Sequence, residues 1–325
     1  MTVSIQRRRL LSAAAAMGAG VTAGWAPAAL AQGTGDMRLL VPLSAGSSVD
    51  IIARCMAPKM SQVLNRGIYA DNRPGADSII ATQLAASAKP DGQTVVLVTP
   101  AHAINVFMYP GKLKYDAVKD FTLIGMAATN VNVLMVPAES PFHSLQDLVA
   151  AAKARPSGMN YGNSGGTSGG AAELLNLYAG IKTINVSYKG AGEAMNDMLG
   201  NRLDFIFSAI STALPMVKSG KLRGLAQTGA RRHPSLPDLP TVAESFPGFQ
   251  VLGWYGLLGP RGMSAEMTQR LNHALAVAAA SPEVDKTLAI NGFDPAQPNT
   301  PEDFRKFVEA EIVKWGKVIK PAGEA

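Results

Sequence analysis

Short apolar runs alternate with longer amphipathic segments along most of the chain. Runs such as MRLLVPL, TVVLVTP and NVLMVP have the length of buried strands and are bounded by residues that favour turns. Between them, segments such as 48–65 repeat apolar residues at helical spacing. This alternation predicts an α/β fold in which helices cover mainly parallel sheets on both faces.

Two sets of elements follow from this pattern. Strands are predicted at 37–43, 67–72, 94–100, 121–127, 132–137, 159–163, 184–188, 203–209, 222–228 and 251–259. Helices are predicted at 48–65, 76–88, 144–154, 168–180, 190–200, 211–219, 264–280, 282–290 and 301–319. The proline-rich stretch between them, at 230–249, predicts an irregular excursion.

The order of these elements predicts two lobes. The chain would pass from one to the other twice, near 130–137 and near 248–256. We therefore assign residues 32–133 and 253–325 to lobe 1 and residues 134–252 to lobe 2. A cleft between two lobes, at the carboxyl ends of parallel strands, is a favoured position for a ligand.

Residues 1–31 have the pattern of a cleavable export signal. Three arginines at 7–9 precede a modestly apolar run rich in Ala and Gly, which ends in Ala29–Ala31. Glycines, Thr22 and Pro27 dilute this run, whereas a membrane-spanning helix needs about 20 predominantly apolar residues. We expect cleavage after residue 31 and a periplasmic location, reached by the twin-arginine or the general export route.

Composition narrows the class of partner. Removal of the signal takes three arginines, so the formal charge falls from +6 to +3, with 27 basic and 24 acidic residues left. The mature chain has no basic run or aromatic ladder suited to nucleic acid. Cys55 is the only cysteine, which excludes an intrachain disulfide. No spacing of His, Cys or carboxylates indicates a metal site, and we expect no cofactor.

Two loops of small residues, one in each predicted lobe, connect a predicted strand to the helix that follows it. Helix N-termini present unpaired N–H groups and a partial positive charge, so they favour anions. Small residues here are equally typical of ordinary turns and N-caps, but a matched pair favours binding of a carboxylate. The first loop contains Ser44, Ala45, Gly46, Ser47 and Ser48, and the second contains Asn163, Ser164, Gly165, Gly166, Thr167 and Ser168.

The alternative for the second loop is catalysis. Residues 162–166 fit the G-x-S-x-G pattern of a nucleophile elbow, which would make Ser164 the nucleophile of a secreted serine hydrolase. Such an enzyme also needs a histidine that reaches Ser164. The downstream candidates, His233 and His273, lie in the proline-rich segment and on an amphipathic helix, and both positions are typical of a surface. We therefore expect a binding protein and not an enzyme.

Several longer motifs resemble one family over the length of the mature chain. They include VPLSAGSSVDIIAR, DNRPGADSIIATQLAASAKPDGQTVVLVTPAHAIN, KYDAVKDFTLIGM, MNYGNSGGTSGGAAELL, INVSYKGAGEAMNDMLGNRLDFIFSAISTALP and GWYGLLGP. Together they are similar to the periplasmic solute-binding proteins of tripartite tricarboxylate transporters, often called the Bug family. The resemblance implies a two-lobe Venus-flytrap fold that binds a small organic acid and delivers it to a membrane permease. We expect a monomer.

The resemblance also implies where the ligand lies. It places binding residues in both loops, in a segment from Thr99 to Asn105 that includes His102, and at Ser208. A buried structural His is an equally good interpretation of His102, and a packed small residue is one of Ser208. Many family members carry Asp where this chain has Ser208. We therefore expect an acid without an amino group, with a dicarboxylate favoured and an aromatic body as an alternative.

Overall fold

The computed structural model describes residues 35–155, 157–163, 166–188 and 190–319, which form an α/β fold of the predicted class. The strands are β1 (Met37–Val41), β2 (Ile68–Asn72), β3 (Thr94–Val98), β4 (Phe121–Pro137), β5 (Met159–Asn163), β6 (Thr183–Ser187), β7 (Phe205–Ala209), β8 (Leu222–Gln227), β9 (Leu252–Pro260) and β10 (Asp294–Pro295). The predicted export signal lies outside the described residues.

The helices cover both predicted halves of the chain, and most begin and end within a few residues of the prediction. They are α1 (Ser48–Leu64), α2 (Ile79–Ala86), α3 (Ala101–Met108), α4 (Leu145–Ala154), α5 (Gly166–Ala179), α6 (Ala191–Leu199), α7 (Ile210–Lys218), α8 (Val242–Ser245), α9 (Ala265–Ala279), α10 (Pro282–Ile290) and α11 (Pro301–Val318). A short turn at Ala76–Ser78, with positive φ at all three residues, precedes α2.

The strands form a mixed sheet in the order β2-β1-β3-β9-β4-β7-β5-β6, and β8 and β10 also pair with β4. Pairing is parallel near both ends, where β1 lies between β2 and β3 and β5 lies between β6 and β7. It is antiparallel around β4 and β9 in the middle. The outer strands therefore confirm the parallel prediction, and the two central strands make the sheet mixed.

Strand β4 joins the two ends of this sheet. Its residues 121–131 pair with β9, whereas residues 132–137 pair with β7 and β8. The prediction of separate strands at 121–127 and 132–137 is wrong here, because the less apolar residues between them stay in the ladder with β9. Asn130 and Asn132 are only 7 % and 2 % exposed, so this strand carries two buried amides at its middle.

The returning segment of the chain lies beside the middle of β4. The Thr228 N–H donates to the Asn132 carbonyl at 2.9 Å, and the Val251 N–H donates to the Thr228 carbonyl at 3.0 Å. The Thr228 hydroxyl also donates to the Val251 carbonyl at 2.6 Å. These bonds connect the middle of β4 to Thr228 and connect Thr228 to Val251, just before β9.

Three described elements were missed by the sequence prediction, namely α3, α8 and β10. The most consequential is α3, which follows Thr99 and Pro100 directly. Its sequence, AHAINVFM, has only eight residues and follows a predicted strand directly, so it is shorter than the window of about 11–18 residues over which helical periodicity is recognised. Among the helices that the structure describes, none is long and apolar enough to cross a bilayer.

Candidate ligand-binding site

A cleft of about 840 Å³ lies at the carboxyl ends of β3, β5 and β7. The first residues of α1 and α5 line it, together with one side of α3 and the end of α11. Strand ends and helix starts thus meet at one place, as the two matched loops led us to expect. The predicted binding residues that line the cleft are Ser48, Thr99, Asn163, Thr167, Ser168 and Ser208.

The first loop meets the cleft at its last residue. Residues 44–46 are exposed and do not line the cleft in this structure. Ser47 is partly buried, and its hydroxyl oxygen is buried with no hydrogen-bond partner among the described residues. Ser48 lines the cleft, as does Tyr255. Burial raises the pKa of Tyr255, and the Ser48 hydroxyl acts in the opposite direction.

A buried carboxylate fixes the shape of this loop. Asp50, in the first turn of α1, is 3 % exposed and accepts hydrogen bonds of 2.9 Å from the Gly46 N–H, Arg54 Nε and Asn72 Nδ2. Burial raises the pKa of Asp50, but these donors outweigh burial and hold it below its usual value. Gly46 has a φ of +80°, which a residue with a side chain adopts only with strain. The loop is therefore a defined turn at the start of a helix.

The second loop meets the cleft at the start of α5. Ser164 and Gly165 lie outside the described residues, and Gly166 is the first residue of α5. Thr167 accepts a hydrogen bond from Asn132 Nδ2 at 3.0 Å, which leaves its own O–H able to donate to a ligand. The hydroxyl of Ser168 donates to the Phe207 carbonyl at 2.7 Å and so ties α5 to β7.

The two predicted residues after β3 have different positions. Thr99 lines the cleft. His102 is 2 % exposed, with its Nε2 atom 2.8 Å from the Ala117 carbonyl and its ring against Tyr115 and Phe121. Burial lowers the pKa of His102 to about 4, although the Ala117 carbonyl opposes this shift. His102 is thus a neutral core residue and does not line the cleft, contrary to its predicted place among the binding residues.

The cleft also has polar residues that sequence reasoning missed. Asn130 and Asn132 of β4 line it, two positions apart on one face of the strand. The Asn130 Oδ1 atom is buried without a hydrogen-bond partner among the described residues, and a Cβ at Gly253 would lie 1.8 Å from it. The sequence signal that could have indicated them is two Asn residues at positions i and i+2 of a mainly apolar strand. Ser208, at the end of β7, is 4 % exposed beside them.

An unusual backbone turn forms another part of the lining. Ala76, Asp77 and Ser78 have φ values of +46°, +48° and +76°, a region that residues with side chains rarely adopt. Asn105 Nδ2 donates to the Asp77 carbonyl at 2.8 Å, and the Thr82 hydroxyl donates to the Ser78 carbonyl at 2.9 Å. Asp77, Ser78 and Asn105 all line the cleft. Helices α2 and α3 therefore hold a strained turn in place at the site.

Charged side chains are few in this lining. Over residues that the structure describes, it contains Asp77 and Glu173 but no Lys, Arg or His. The Glu173 carboxylate accepts hydrogen bonds from the Tyr161 phenol and Asn176 Nδ2, and the Asp77 carboxylate accepts one from the Tyr109 phenol. An anion in this cleft would therefore be bound by neutral amides, hydroxyls and helix N-termini, without a cationic partner from the described lining.

The hydrolase alternative gains nothing from the described histidines. In His233, Nε2 lies 2.9 Å from Asp294 Oδ1, and Nδ1 accepts the Ser235 N–H at 3.0 Å. His273 is exposed on α9. Neither lines the cleft beside the start of α5, where a general base for Ser164 would be needed.

Comparison with known proteins identifies the family. A sequence profile described as "Tripartite tricarboxylate transporter family receptor" matches residues 52–323. The chain belongs to this family. Its members are periplasmic solute-binding receptors, so the resemblance found in the sequence motifs is confirmed.

Individual relatives cover nearly the whole chain. The "UPF0065 protein in tcbD-tcbE intergenic region" of Pseudomonas sp. strain P51 is 34 % identical over 284 residues, which are 86 % of this chain and 84 % of that protein. The structure of R. palustris Rpa4515 with adipate is 33 % identical at a TM-score of 0.72, covering 88 % of this chain and 96 % of its own. MatC (Rpa3494) from Rhodopseudomonas palustris with bound malate is 28 % identical at 0.70, covering 87 % and 98 %. This chain therefore has the same fold as the two related structures.

Proposed function

We propose that this protein is a periplasmic receptor that captures a small organic carboxylate in the cleft and delivers it to the membrane subunits of a tripartite transporter. The observation that carries the proposal is that the starts of α1 and α5 line the same cleft, at Ser48 and at Thr167. Each start brings N–H groups and a hydroxyl to the site, and both suit a carboxylate. Related structures with adipate and with bound malate support an acid of this size.

The proposed ligand has two carboxylates and no amino group. Two separate helix starts offer one place for each carboxylate, and the neutral Ser208 places no negative charge at the end of β7. The nearby Asp77 and Glu173 are the acidic groups that an ammonium would need. Both, however, already accept hydrogen bonds from tyrosines, and Glu173 also accepts one from an amide. An aromatic dicarboxylate is the alternative within the same class.

Capture would involve closure of two lobes, with residues 32–133 and 253–325 in lobe 1 and residues 134–252 in lobe 2. The change of pairing partner within β4 and the return at residues 228–252 support these limits. We further propose that residues 1–31 are a cleaved export signal and that the mature receptor is a monomer.

Delivery to the transporter can be tested separately from ligand binding. The test is whether the mature receptor co-purifies with the permease subunits or binds to them on a surface.

Titration of the mature protein with carboxylates tests the proposal. Thermal shift and isothermal titration with succinate, adipate, malate and aspartate should show stabilisation by acids that lack an amino group. Thr167→Val removes the hydroxyl donor and should weaken binding by about 1–3 kcal/mol. The matched control is Thr287→Val on α10, because the Thr287 hydroxyl donates to the Glu283 carbonyl outside the cleft.

Three outcomes would overturn this assignment. One is the absence of a thermal shift with any acid, confirmed by native mass spectrometry of the purified protein. Another is equal affinity of the Thr167→Val and Thr287→Val proteins. The third is hydrolysis of a p-nitrophenyl ester that disappears in Ser164→Ala, since this would favour the hydrolase.

A further inference from the structure

We propose that an apolar wall of the cleft binds the carbon skeleton of the ligand, so that this receptor selects acids with a long apolar body over short or hydroxylated ones. The wall consists of Ile104 and Met108 on α3 and of Val318 and Ile319 at the end of α11. This inference rests on the proposed function, because it assumes a carboxylate ligand and concerns the part of that ligand between its charged ends.

The exposure of these side chains is the first step. Ile104 and Met108 lie four residues apart on α3, so they lie on the same side of that helix. Met108 is 45 % exposed, although it lines a concave site. Ile104, Val318 and Ile319 are partly buried and line the same cleft. Apolar side chains left open to solvent in a concave site mark a surface that a ligand covers.

The wall is also held in a fixed position. A Cβ at Gly316 of α11 would lie 2.7 Å from the Phe107 ring of α3, and a Cβ at Gly170 of α5 would lie 2.5 Å from the Trp315 ring. Such close contacts leave little space for α11 to slide against α3. A preformed apolar surface binds without the cost of ordering its own side chains, so contact with a ligand skeleton adds to affinity.

The rest of the lining supplies no comparable discrimination. Neutral donors such as Asn132 and Thr167, together with the starts of α1 and α5, would hold the two carboxylates of a short and of a long diacid alike. A volume of about 840 Å³ lies in the upper part of the range of roughly 300–1,000 Å³ found for ligand sites. A hydroxyl placed against the wall would lose water and gain no partner there. The receptor should therefore distinguish between acids by the carbon skeleton that joins their carboxylates.

A series of dicarboxylates of increasing length tests this inference. Mature protein would be titrated with succinate, adipate, suberate, terephthalate and malate. Each methylene that reaches the wall should increase affinity by up to about fourfold. Adipate has two more methylenes than succinate, so it should bind about tenfold tighter, with a maximum of about sixteenfold. Malate should bind no tighter than succinate. Terephthalate tests whether an aromatic body is accepted as readily as an aliphatic one.

Variants of the wall show whether it is the cause. Met108→Gln and Ile104→Asn should weaken adipate by about tenfold and leave succinate within about twofold, because succinate is held by its carboxylates alone. Met108 is exposed, so Met108→Gln should fold even if Ile104→Asn does not. Val313→Asn is the matched control, since Val313 is 61 % exposed on α11 and does not line the cleft.

The possible results separate this inference from the function on which it rests. Equal affinities for succinate and adipate, or tighter binding of malate, would overturn the role of the wall and leave the carboxylate receptor intact. The same conclusion would follow if Met108→Gln weakened succinate and adipate by the same factor. If folded protein binds none of these acids, both the proposed function and the inference are wrong.

Discussion

The buried carboxylate of Glu311 should be costly to remove from this protein. Its Oε2 atom accepts hydrogen bonds from the indoles of Trp254 on β9 and Trp315 on α11, at 3.2 and 3.1 Å. Its Oε1 atom accepts one from the ammonium of Lys314. Both indoles are fully buried, and the Glu311 side chain is 7 % exposed. One carboxylate thus joins α11 to the sheet beside the cleft.

The size of the effect follows from what each substitution leaves behind. Glu311→Ala leaves two buried indole N–H groups without acceptors, each worth about 1–3 kcal/mol, so the free energy of unfolding should fall by about 2–6 kcal/mol. Glu311→Gln keeps an amide oxygen for the indoles but points an NH2 group at Lys314. Its cost should be smaller, about 1–2 kcal/mol, and Lys314→Met should remove much of that cost by removing the ammonium.

Tryptophan fluorescence is an unusually direct assay here. The chain has three tryptophans, and one of them, Trp25, lies in the predicted export signal. A chain that begins at residue 32 therefore reports on Trp254 and Trp315 alone. Urea unfolding followed by emission gives the free energy directly, and the melting temperature should fall by roughly 2–4 °C for each kcal/mol lost. The control is Glu309→Ala, since Glu309 is a half-exposed ion-pair partner of Arg305 and should matter little.

Two results would refute this reasoning. If Glu311→Ala costs no more than Glu309→Ala and leaves the emission spectrum unchanged, the indoles do not depend on the carboxylate. If Glu311→Gln costs as much as Glu311→Ala, and Lys314→Met does not rescue it, the charge and not the shared acceptor is what stabilises α11.

Three further predictions concern the core and the lining. The pKa of His102 is about 4 in the folded protein and about 6.5 in the unfolded chain. The unfolded chain therefore binds a proton more readily between these pH values. The free energy of unfolding should be at its full value above about pH 6.5 and should fall by on the order of 3 kcal/mol as the pH approaches 4. His102→Gln should flatten this dependence in urea titrations at pH 7.5 and 4.5, and an unchanged slope would contradict it. Ser208→Asp should weaken a dicarboxylate more than its monoacid in isothermal titration, since it places a like charge in the lining; equal weakening would count against two bound carboxylates. Gly253→Ala should cost about 1–3 kcal/mol in thermal or urea unfolding, because its Cβ meets Asn130, and a Gly253→Ala, Asn130→Ala double variant that recovers nothing would argue against this contact.

Local pattern was sufficient for much of the fold. The helices α1, α4, α9, α10 and α11 carry apolar residues at helical spacing, and their ends were predicted to within about two residues. The two loops of small residues were recognised as strand-to-helix junctions, and Ser48, Thr167 and Ser168 do line one cleft. Motifs distributed along the chain also indicated the family, since many short matches in one order are specific when no single match is.

Only the tertiary structure decided which side chains line the cleft and which are buried in the core. The pattern gave no sign that His102 packs against Tyr115 and Phe121, because a polar residue after a strand can turn toward either the cleft or the core. Asn130 and Asn132 were overlooked for the same reason, since their burial depends on pairing with β9, β7 and the distant segment around Thr228. The local periodicity of a segment indicates which side of its helix or strand is apolar. What those faces meet depends on chain segments up to hundreds of residues away, and only the packed fold brings these together.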